Sequence, residues 1–556
     1  AYLTAIFEGK YDEAYRINLE HNVFPAVLGR VCARPCEEEC RHGWEGLGES
    51  VAICWSKRSA ADHLSQRDPV KVRPYFETST GKTIVVIGAG VAGLTAAREL
   101  KRMGHEVKVL ERYHEAGGIM VQGIPQFRLP REVVRKEIAQ IEALGVEIRC
   151  NVEVGRDVTL QELLAGHDAV IIAAGTFREN ILELPGAELP GILHGLTYLR
   201  RVHSGETIDL GHDVVVIGGG FTAMDCARTA WRYGADNVKV FYRRSANEML
   251  ITPGELEELE KEGIPMEFLV SPVAYIGDDQ GRLQAVRFIR NQLGEPDASG
   301  RRRPEPVPGS EFEVPASAVL LATGQFPQTD WIDPQLRSHL VAPDQWPQTP
   351  SPRQVPIFHV GDFATGASSL INAIGHAKEM AVKIDAWLMG ETRLHPAALI
   401  EDAESTGRIR EMDFVPRQEM PALDVSQRRN QNEVELGYTR ELAVEETQRC
   451  YRCHYKFEID NTRCIYCDWC IKAKPRPECI LKIRTLQHDA EGRITGWEIA
   501  EQSEDVNLIF INQNDCIRCG ACVDACPVDC ISLQKVSYIP QCDLHQLKAA
   551  VSGREH

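Results

Sequence analysis

Apolar and polar positions along the chain follow a repeated order that indicates α/β units. From Lys82 a strand pattern, a glycine turn, a helical pattern and a second strand follow one another in "KTIVVIGAGVAGLTAARELKRMGHEVKVLER". A second unit of the same order begins at "DVVVIGGGFTAMDC". Short continuous apolar runs bounded by glycines are typical of parallel strands that are buried on both faces. The pattern therefore predicts two Rossmann-like domains.

The remaining segments differ from these units in their pattern. Residues 1–75 have a polar, helical pattern, 391–445 are charged and short of aromatic residues, and the tail is rich in cysteine. At 556 residues the chain is too long for one hydrophobic core. The predicted fold class is α/β plus α+β. We expect a helical domain at 1–75, a first nucleotide-binding domain at 76–205 and 327–395, a second one inserted at 206–326, a linker at 396–445 and a ferredoxin-like domain at 446–556.

The first glycine turn, "GAGVAG", has the spacing of a dinucleotide-binding loop. Gly88 permits the tight turn, Gly90 lets a pyrophosphate approach the backbone, and Gly93 packs the helix on the strand. Glu111 ends the second strand, where a carboxylate can accept a ribose hydroxyl hydrogen bond. In "HVGDFATG", Asp362 follows a strand and can bind the sugar-like chain of a flavin; the alternative is a carboxylate that caps the next helix.

The second turn, "GGGFTA", places Gly218, Gly220 and Ala223 at the equivalent positions. Its second strand ends in Arg243 and Arg244 instead of a carboxylate. An acid would repel a 2′-phosphate, whereas arginine binds it through two hydrogen bonds. The pair therefore predicts NADP(H) rather than NAD(H), although two arginines could also simply solvate the end of a strand.

Eight cysteines of the tail have the spacing of a two-cluster ferredoxin. Three cysteines two residues apart hold one [4Fe–4S] cluster, and the fourth in each run serves the other cluster. By this rule Cys526 completes the first cluster and Cys479 the second. Zinc is the alternative, but the run that ends in Cys526-Pro527 is a poor tetrahedral spacing. The predicted ligands are Cys464, Cys467, Cys470, Cys479, Cys516, Cys519, Cys522 and Cys526.

A second group of cysteines lies near the N-terminus. Cys32, Cys36 and Cys40 recur every four residues, and Cys54 follows. They could line a buried helical face, but "RPCEEECRHG" is too polar for that, so we predict a third [4Fe–4S] cluster with Cys54 as its fourth ligand. Six cysteines remain: Cys150, Cys226 and Cys530 are expected in the core, while Cys450 and Cys453 with Cys542 or His454 are left as candidates for a further cluster or zinc.

Charge and cysteine usage limit the classes of partner and the compartment. The chain carries 62 basic and 80 acidic residues, a net charge of −18, which argues against nucleic acid or an anionic membrane as the main partner. No apolar run approaches the roughly 20 residues that cross a bilayer, and the first residues lack a secretory signal pattern. Twelve of the eighteen cysteines follow residue 449 in motifs suited to metal. We therefore expect a cytoplasmic protein.

Several stretches together resemble the glutamate synthase small (β) subunit, and are similar to the N-terminal module of dihydropyrimidine dehydrogenase. They include "GRVCARPCEEECRHG", "GGIMVQGIPQFRLPREVV" and "GDFATGASSLINAIGHAKEMA". The resemblance covers residues 1 to about 390 and implies FAD at the first turn and NADPH at the second. In this family the fourth ligand of the N-terminal cluster can be a residue other than cysteine, and Lys57 is the position that aligns with it. Cys54 precedes that position and so departs from the family pattern. Further candidate cofactor-binding residues from these stretches are Arg112, Gly117, Gly118, Gly123, Ile124, Arg128, Gly175, Phe221, Thr222, Gly324, Gly361 and Ser369.

These features favour an FAD- and iron–sulfur-dependent NADP(H) oxidoreductase subunit. Such a chain exchanges hydride with NADP(H) and single electrons with a partner subunit or a ferredoxin. We expect it in a hetero-oligomer such as a 2-oxoacid:ferredoxin oxidoreductase or glutamate synthase complex. No side chain is assigned as acid, base or nucleophile. The alternatives are a thiol–disulfide flavoreductase, disfavoured because only Cys226 lies near the turns, a non-catalytic electron-wire or scaffold subunit, and an electron-bifurcating transhydrogenase subunit.

Overall fold

The N-terminal region is helical, as its polar periodicity predicts. The structure, a computed structural model, describes residues 1–65, 70–337, 340, 357–490, 492 and 494–543. Ile6, Tyr15 and Leu19 belong to one buried core, which also takes in Ala443 from much later in the chain. The five α-helices are α1 (Tyr2–Phe7), α2 (Tyr11–Asn22), α3 (Pro25–Val31), α4 (Pro35–Glu38) and α5 (Ile53–Asp62).

Strands and helices alternate through the middle of the chain. The first unit comprises β1 (Thr83–Ile87), α6 (Val91–Arg102), β2 (Glu106–Leu110), α7 (Ile119–Gln122), α8 (Arg131–Glu142), β3 (Glu147–Arg149), α9 (Leu160–Gly166) and β4 (Ala169–Ile172). The second comprises β5 (Arg178–Glu179), β6 (Ile192–His194), α10 (Gly195–His203), β7 (Asp213–Ile217), α11 (Phe221–Arg232), β8 (Asn237–Tyr242), α12 (Pro253–Lys261) and β9 (Met266–Phe268).

The rest of the chain is richer in antiparallel strands. Its elements are β10 (Val270–Gly277), β11 (Leu283–Pro296), β12 (Arg302–Pro306), β13 (Phe312–Pro315), β14 (Ala318–Leu321), β15 (Gln325–Phe326), α13 (Pro334–Arg337), β16 (Ile357–His359), α14 (Asp362–Thr365), α15 (Leu370–Met389), β17 (His395–Asp402), α16 (Arg440–Gln448), β18 (Tyr455–Ile459), α17 (Trp469–Ala473), β19 (Ile480–His488), β20 (Ile494–Ile499), β21 (Leu508–Ile511), α18 (Ala521–Asp524) and β22 (Ile531–Cys542). None of the described helices is long and apolar enough to cross a membrane.

Two parallel sheets confirm the predicted pair of Rossmann-like domains. The first has the order β16-β4-β1-β2-β3, and the second the order β6-β14-β7-β8-β9. The central strands β1 and β7 are buried over their last four residues. One face of β7 packs against helices α10 and α11 and the other against the antiparallel strands β10 and β11. The carboxyl ends of β1 and β7 lead into the two glycine turns, which is where such sheets bind ligands.

The second sheet starts earlier than the predicted boundary at residue 206. Strand β6 and helix α10, residues 192–203, belong to it, because Ile192 pairs with Val319 of β14. Strand β6 has three residues, all half-buried, which is too short for a periodic signal. The short pair β5 and β15 joins the two α/β units through the register of Gln325 with Glu179.

The segment expected as a linker, 396–445, is instead part of a structured strap at 395–448, which runs from β17 to the end of α16. Strand β17 pairs antiparallel with β22 of the cysteine-rich region, Leu399 opposite Ser537. Further along, Arg417 Nη2 lies 2.9 Å from Glu37 Oε2, and Glu446 Oε1 accepts a hydrogen bond from Ala52 N–H at 2.7 Å. The segment is polar because it makes backbone and ion-pair contacts with its neighbours. From composition alone, such a polar segment is predicted to be a linker.

The cysteine-rich region contains two small antiparallel sheets. One has the order β17-β22-β18 and the other β20-β19-β21. The second sheet contains the hairpin that separates the two cysteine runs. Phe457, Ile480 and Ile511 form the core together with several of the cysteines. The last part of the predicted domain, 544–556, lies outside the described residues.

Candidate functional site

The first glycine turn connects β1 to α6. Gly88 has φ +106°, and a Cβ there would lie 2.5 Å from Ala173 O. A Cβ on Gly93 would lie 2.0 Å from Gly88 O. Gly90 caps α6 without a side chain, and its Cβ would meet only Gly118 Cα, at 4.0 Å. Gly88 and Gly93 are therefore required by packing, whereas Gly90 leaves space for a ligand.

The second glycine turn repeats this geometry between β7 and α11. A Cβ on Gly218 (φ +152°) would lie 2.4 Å from Ala322 O. A Cβ on Gly220 would meet nothing within 4 Å. Ala223, at the third position, is fully buried. Both helices thus begin at a glycine with open space beside it, and the N–H groups of a helix N-terminus can bind a pyrophosphate there.

One cavity of about 1120 Å³ contains both turns. All but four of the predicted cofactor-binding residues line it; Gly93, Gly117, Ala223 and Gly361 do not. Those that line it are Gly88, Gly90, Glu111, Arg112, Gly118, Gly123, Ile124, Arg128, Gly175, Gly218, Gly220, Phe221, Thr222, Arg243, Arg244, Gly324, Asp362 and Ser369. Gly361 (φ +62°) has a packing role, because its Cβ would lie 2.3 Å from Ala92 Cβ.

The two predicted carboxylates of the first unit face the cavity from opposite sides of the glycine turn. Glu111 accepts hydrogen bonds from Ala89 N–H at 2.8 Å and Tyr113 N–H at 3.0 Å. Burial raises the pKa of Glu111. Burial also raises the pKa of Asp362, which accepts a hydrogen bond from the Ser368 hydroxyl at 2.6 Å. Gln122 lines the same cavity, and its Oε1 is buried with no hydrogen-bond partner among the described residues.

The two predicted arginines of the second unit differ in their contacts. Arg244 is buried, donating to Asp297 Oδ2 at 2.6 Å and to Arg302 O at 2.8 Å. Arg243 is exposed and lines the cavity. Arg301 also lines it, from the turn before β12, and donates to Ser299 Oγ at 3.0 Å. Sequence reasoning missed Arg301, although it opens the run "RRR" at 301–303.

Arg128, predicted to bind a cofactor, lines the cavity and also joins the two α/β units. It donates to Asp225 Oδ1 of α11 at 2.6 Å and to Glu255 of α12. Burial raises the pKa of Asp225 to about 6, while the Arg128 charge acts in the opposite direction. Because Asp225 lies in the first turns of α11, this ion pair fixes the second glycine turn relative to the first unit.

The cavity extends to the first cysteine of the helical domain. Cys32 and Arg34 line the cavity together with the glycine turns. Among the described residues that line it, Cys32 is the one cysteine. Burial raises the pKa of Cys36 to about 12, and the nearby thiols of Cys32 and Cys54 act in the same direction. Cys32 and Cys54 belong to one buried core. Glu37, the neighbour of Cys36, accepts a hydrogen bond from Cys54 N–H at 2.8 Å, so the three cysteines lie in one region. Cys226 is fully buried in α11, so the described lining offers no redox cysteine pair for a thiol–disulfide reductase.

The tail cysteines are arranged crosswise, as the ferredoxin rule predicts. Cys526 lines a small cavity with the first run, Cys464, Cys467 and Cys470. Cys530, expected as a core residue, lines it too, with its Sγ 3.5 Å from Cys526 Sγ.

Cys479 lies with the second run. A hydrogen bond with Cys516, burial and the charges of Cys522 and Cys519 raise its pKa. No three Cys, His, Asp or Glu side chains in the described part of the chain are arranged for a single metal ion. The thiolates of a [4Fe–4S] cube each bind a different iron atom, so they are spaced more widely than the ligands of one ion.

The three unassigned cysteines do not form one group. Cys542 pairs with His395 at one end of β22, whereas Lys535, seven residues earlier, pairs with Tyr455. At about 3.3 Å per residue, Cys542 lies more than 20 Å along the strand from the segment that follows Cys453. The pairing of Cys450 and Cys453 with Cys542 is therefore wrong.

Comparison with known proteins agrees with this arrangement. The family profile "Pyridine nucleotide-disulphide oxidoreductase" matches residues 82–377. The profile "Dihydropyrimidine dehydrogenase domain II, 4Fe-4S cluster" matches residues 1–69, and "4Fe-4S binding domain" matches 509–532. These matches confirm the predicted FAD, NADP(H) and [4Fe–4S] cofactors, for which the open glycine turns and the grouped cysteines are suited.

Curated relatives extend the similarity over most of the chain. The NADP(+)-dependent formate dehydrogenase subunit beta of Moorella thermoacetica is 36% identical, over 82% of this chain and 68% of the relative. The NADPH-Fe(3+) oxidoreductase subunit beta of Geobacter sulfurreducens is 34% identical, over 82% and 73%. The glutamate synthase [NADPH] small chain of Escherichia coli is 35% identical, over 68% and 84%. The chain therefore belongs to the pyridine nucleotide-disulphide oxidoreductase family, as an iron–sulfur member similar to the glutamate synthase small chain.

Proposed function

We propose that this chain exchanges hydride with NADP(H) and single electrons with a partner protein. The single observation that carries the proposal is that one cavity contains both glycine turns and Cys32. Bound FAD would supply the conversion between two-electron hydride chemistry and the one-electron chemistry of iron–sulfur clusters. The relatives named above are subunits or chains of NADP-linked oxidoreductases, which supports a partner subunit.

The residues around the cavity divide between the two nucleotides. We assign the FAD diphosphate to the N-terminus of α6 at Gly90 and the FAD ribose to Glu111. The sugar-like (ribityl) chain of the flavin is assigned to Asp362. We assign the NADPH diphosphate to the N-terminus of α11 at Gly220, and its 2′-phosphate to Arg243 and Arg301. Arg128 acts as a positioning residue, because its pair with Asp225 sets where the NADPH turn lies relative to the flavin turn.

The cysteine groups form a route from the cavity to the surface. Cys32 lies at the cavity. Arg41 Nη1, on the next loop of the helical domain, donates to Cys516 O at 2.8 Å. The second run with Cys479 is therefore next to the helical domain, and the first run with Cys526 lies beyond it. This order leads electrons away from the flavin site through groups that are fixed by backbone contacts.

The experiment that tests the proposal is an anaerobic titration of the purified protein with NADPH and, separately, with NADH. We expect NADPH to bleach the flavin absorbance and then the broad cluster absorbance, while NADH does much less. Bleaching by neither nucleotide would contradict the proposal and leave a scaffold subunit. Flavin bleaching without any change in the clusters would contradict the route.

The surface around the first run is suited to an acidic electron carrier. Ile465, Tyr466 and Trp469, which we term the exit surface, are 59%, 41% and 61% exposed. Exposed apolar groups beside a redox centre are typical of docking sites. Although the chain is strongly acidic, residues 463–484 contain six basic and two acidic residues. Two of the basic side chains are paired, Lys482 with Asp468 and Arg484 with Glu498, which leaves a net positive charge around the first run. The carrier therefore has an acidic rim around an apolar centre.

Replacing Trp469 by alanine is expected to raise the KM for an acidic two-cluster ferredoxin about 30-fold, because a buried tryptophan anchor contributes at least about 2 kcal/mol. Flavin reduction by NADPH stays unchanged. The measurement is the NADPH-dependent reduction rate of the ferredoxin, repeated at low and high salt. Phe414→Ala, at an aromatic that is 78% exposed elsewhere, is the control. Equal KM values for the two variants would show that the carrier docks at another surface.

A further inference from the structure

One backbone turn recurs at four cysteines of this chain. The residue two positions after Cys32, Cys450, Cys464 and Cys516 has a left-handed conformation, with φ of +60° at Arg34, +52° at Arg452, +55° at Tyr466 and +61° at Arg518. This conformation costs a non-glycine residue about 1–2 kcal/mol. Three of these cysteines belong to predicted clusters. The fourth, Cys450, has not been assigned to a cluster.

The turn directs a backbone N–H group at the cysteine sulfur. Arg34 N lies 3.4 Å from Cys32 Sγ, and Arg452 N lies 3.4 Å from Cys450 Sγ. Backbone hydrogen bonds to the sulfur ligands are one of the means by which a protein adjusts an iron–sulfur cluster. Cys450 and Cys453 therefore have the local backbone of a cluster-binding pair.

The loop at Cys40 packs directly against this pair. The ring of His42 lies 4.9 Å from the ring of Tyr451, between centroids. Arg449 Nη2 donates to Glu49 O at 2.7 Å. Cys40 and Cys450 pack against the same hydrophobic core. Cys32 and Cys54 belong to a different core, so Cys40 lies with the late pair.

His42 adds a nitrogen ligand on the same loop as Cys40. The ring is 2% exposed, and its Nδ1 lies 2.9 Å from Glu49 O. Its Nε2 is buried with no hydrogen-bond partner among the residues that the structure describes. If Nδ1–H donates to the carbonyl, the Nε2 lone pair is free, which is the arrangement of metal-bound histidines.

We propose that Cys40, Cys450 and Cys453 bind a further [4Fe–4S] cluster, with His42 as the fourth ligand. Arg41, between Cys40 and His42, donates to Cys516 O. The site therefore lies between the Cys32 group at the cavity and the Cys516 group of the tail. Its presence does not depend on the proposed function; only its role as a one-electron relay rests on that function. Position in this route favours iron–sulfur over structural zinc.

The test is the iron and acid-labile sulfide content of the anaerobically purified full chain. Cys450→Ser is expected to remove about four iron and four sulfide per chain, because one cluster is lost. Cys542→Ser is the matched control, since Cys542 lies at the far end of β22, and it should leave both contents unchanged. Unchanged iron in Cys450→Ser would overturn the proposal, as would the loss of one zinc instead.

A double substitution tests the place of Cys40. Cys40→Ser and Cys450→Ser should each remove the same cluster, so the double variant should lose about four iron, not eight. Cys32→Ser with Cys450→Ser should lose about eight. A loss of eight iron in the Cys40→Ser and Cys450→Ser double variant would return Cys40 to the Cys32 group and overturn the ligand set.

Two further measurements test His42 as the fourth ligand and distinguish failure of the proposed site from failure of the proposed function. His42→Ala should change the electron paramagnetic resonance signal that Cys450→Ser abolishes, and an unaltered signal would exclude His42. Flavin content, and flavin bleaching by NADPH, should stay at the level of the unsubstituted protein in Cys450→Ser. If NADPH bleaches no flavin even in the unsubstituted chain, the proposed function fails while the iron count still decides the site.

Discussion

Gly90→Asp is expected to give a folded protein without flavin, whereas Gly220→Asp gives a flavoprotein that NADPH does not reduce. Both positions have extended backbone, with φ and ψ of −78° and −180° at Gly90 and −107° and 179° at Gly220. Aspartate adopts this conformation and is a favoured N-cap. The new side chains therefore fit without strain and place a carboxylate where the diphosphate would lie.

The expected loss follows from charge repulsion at the helix N-termini. Two unit charges about 4 Å apart near a protein surface repel by about 4 kcal/mol, which weakens binding about 1000-fold. The measurements are the flavin-to-protein absorbance ratio and the anaerobic NADPH titration. Gly90→Ser and Gly220→Ser, which add a neutral cap, are the matched controls and should lose much less. Retained flavin in Gly90→Asp would contradict the assignment of FAD to the first turn, and NADPH-reducible flavin in Gly220→Asp would contradict that of NADPH to the second.

Replacing Arg243 and Arg301 together by alanine is expected to lower kcat/KM for NADPH by about 10²- to 10⁴-fold. Each hydrogen bond from a charged group is worth about 1.5–3 kcal/mol, and both guanidinium groups line the cavity. The rate with NADH should change little, because NADH lacks the 2′-phosphate. The measurement is flavin reduction by each nucleotide in the stopped-flow spectrometer.

The control for this pair is Arg287→Ala. Arg287 is an exposed arginine of β11 that pairs with Glu313 away from the cavity. Arg244 is unsuitable, because its ion pair with Asp297 is structural. An equal fall with NADPH and NADH in the double variant would show that the arginines support the fold or the diphosphate and do not select the 2′-phosphate.

The α/β units and their turns could be predicted because their signals are local. Apolar runs such as "TIVVIG" specify buried parallel strands, and glycine at 88 and 218 is required by backbone geometry within a few residues. The tail runs are equally local, since the spacing of cysteines along the chain itself sets which iron atoms they reach. For this reason the crosswise places of Cys479 and Cys526 could be predicted.

Contacts between distant segments could not be predicted, because nothing in the local pattern encodes the partner. Arg128 has the sequence surroundings of a flavin-loop residue, but its guanidinium forms ion pairs with Asp225 and Glu255, which are 97 and 127 residues later. Arg301 reaches the cavity only because the antiparallel sheet folds back beside β8. The strap at 395–448 is polar in sequence, and its register with β22 and the helical domain is specified by hydrogen bonds across the chain.

The sequence by itself determined the two dinucleotide turns, the ferredoxin spacing and the family, since each depends on residues close together in the chain. Only the tertiary structure decided that Cys32 faces the nucleotide cavity, and that the loop of Cys40 packs against the segment of Cys450. The physical reason is that a metal or flavin site needs groups within a few ångströms of one another. When those groups are hundreds of residues apart, packing alone brings them together.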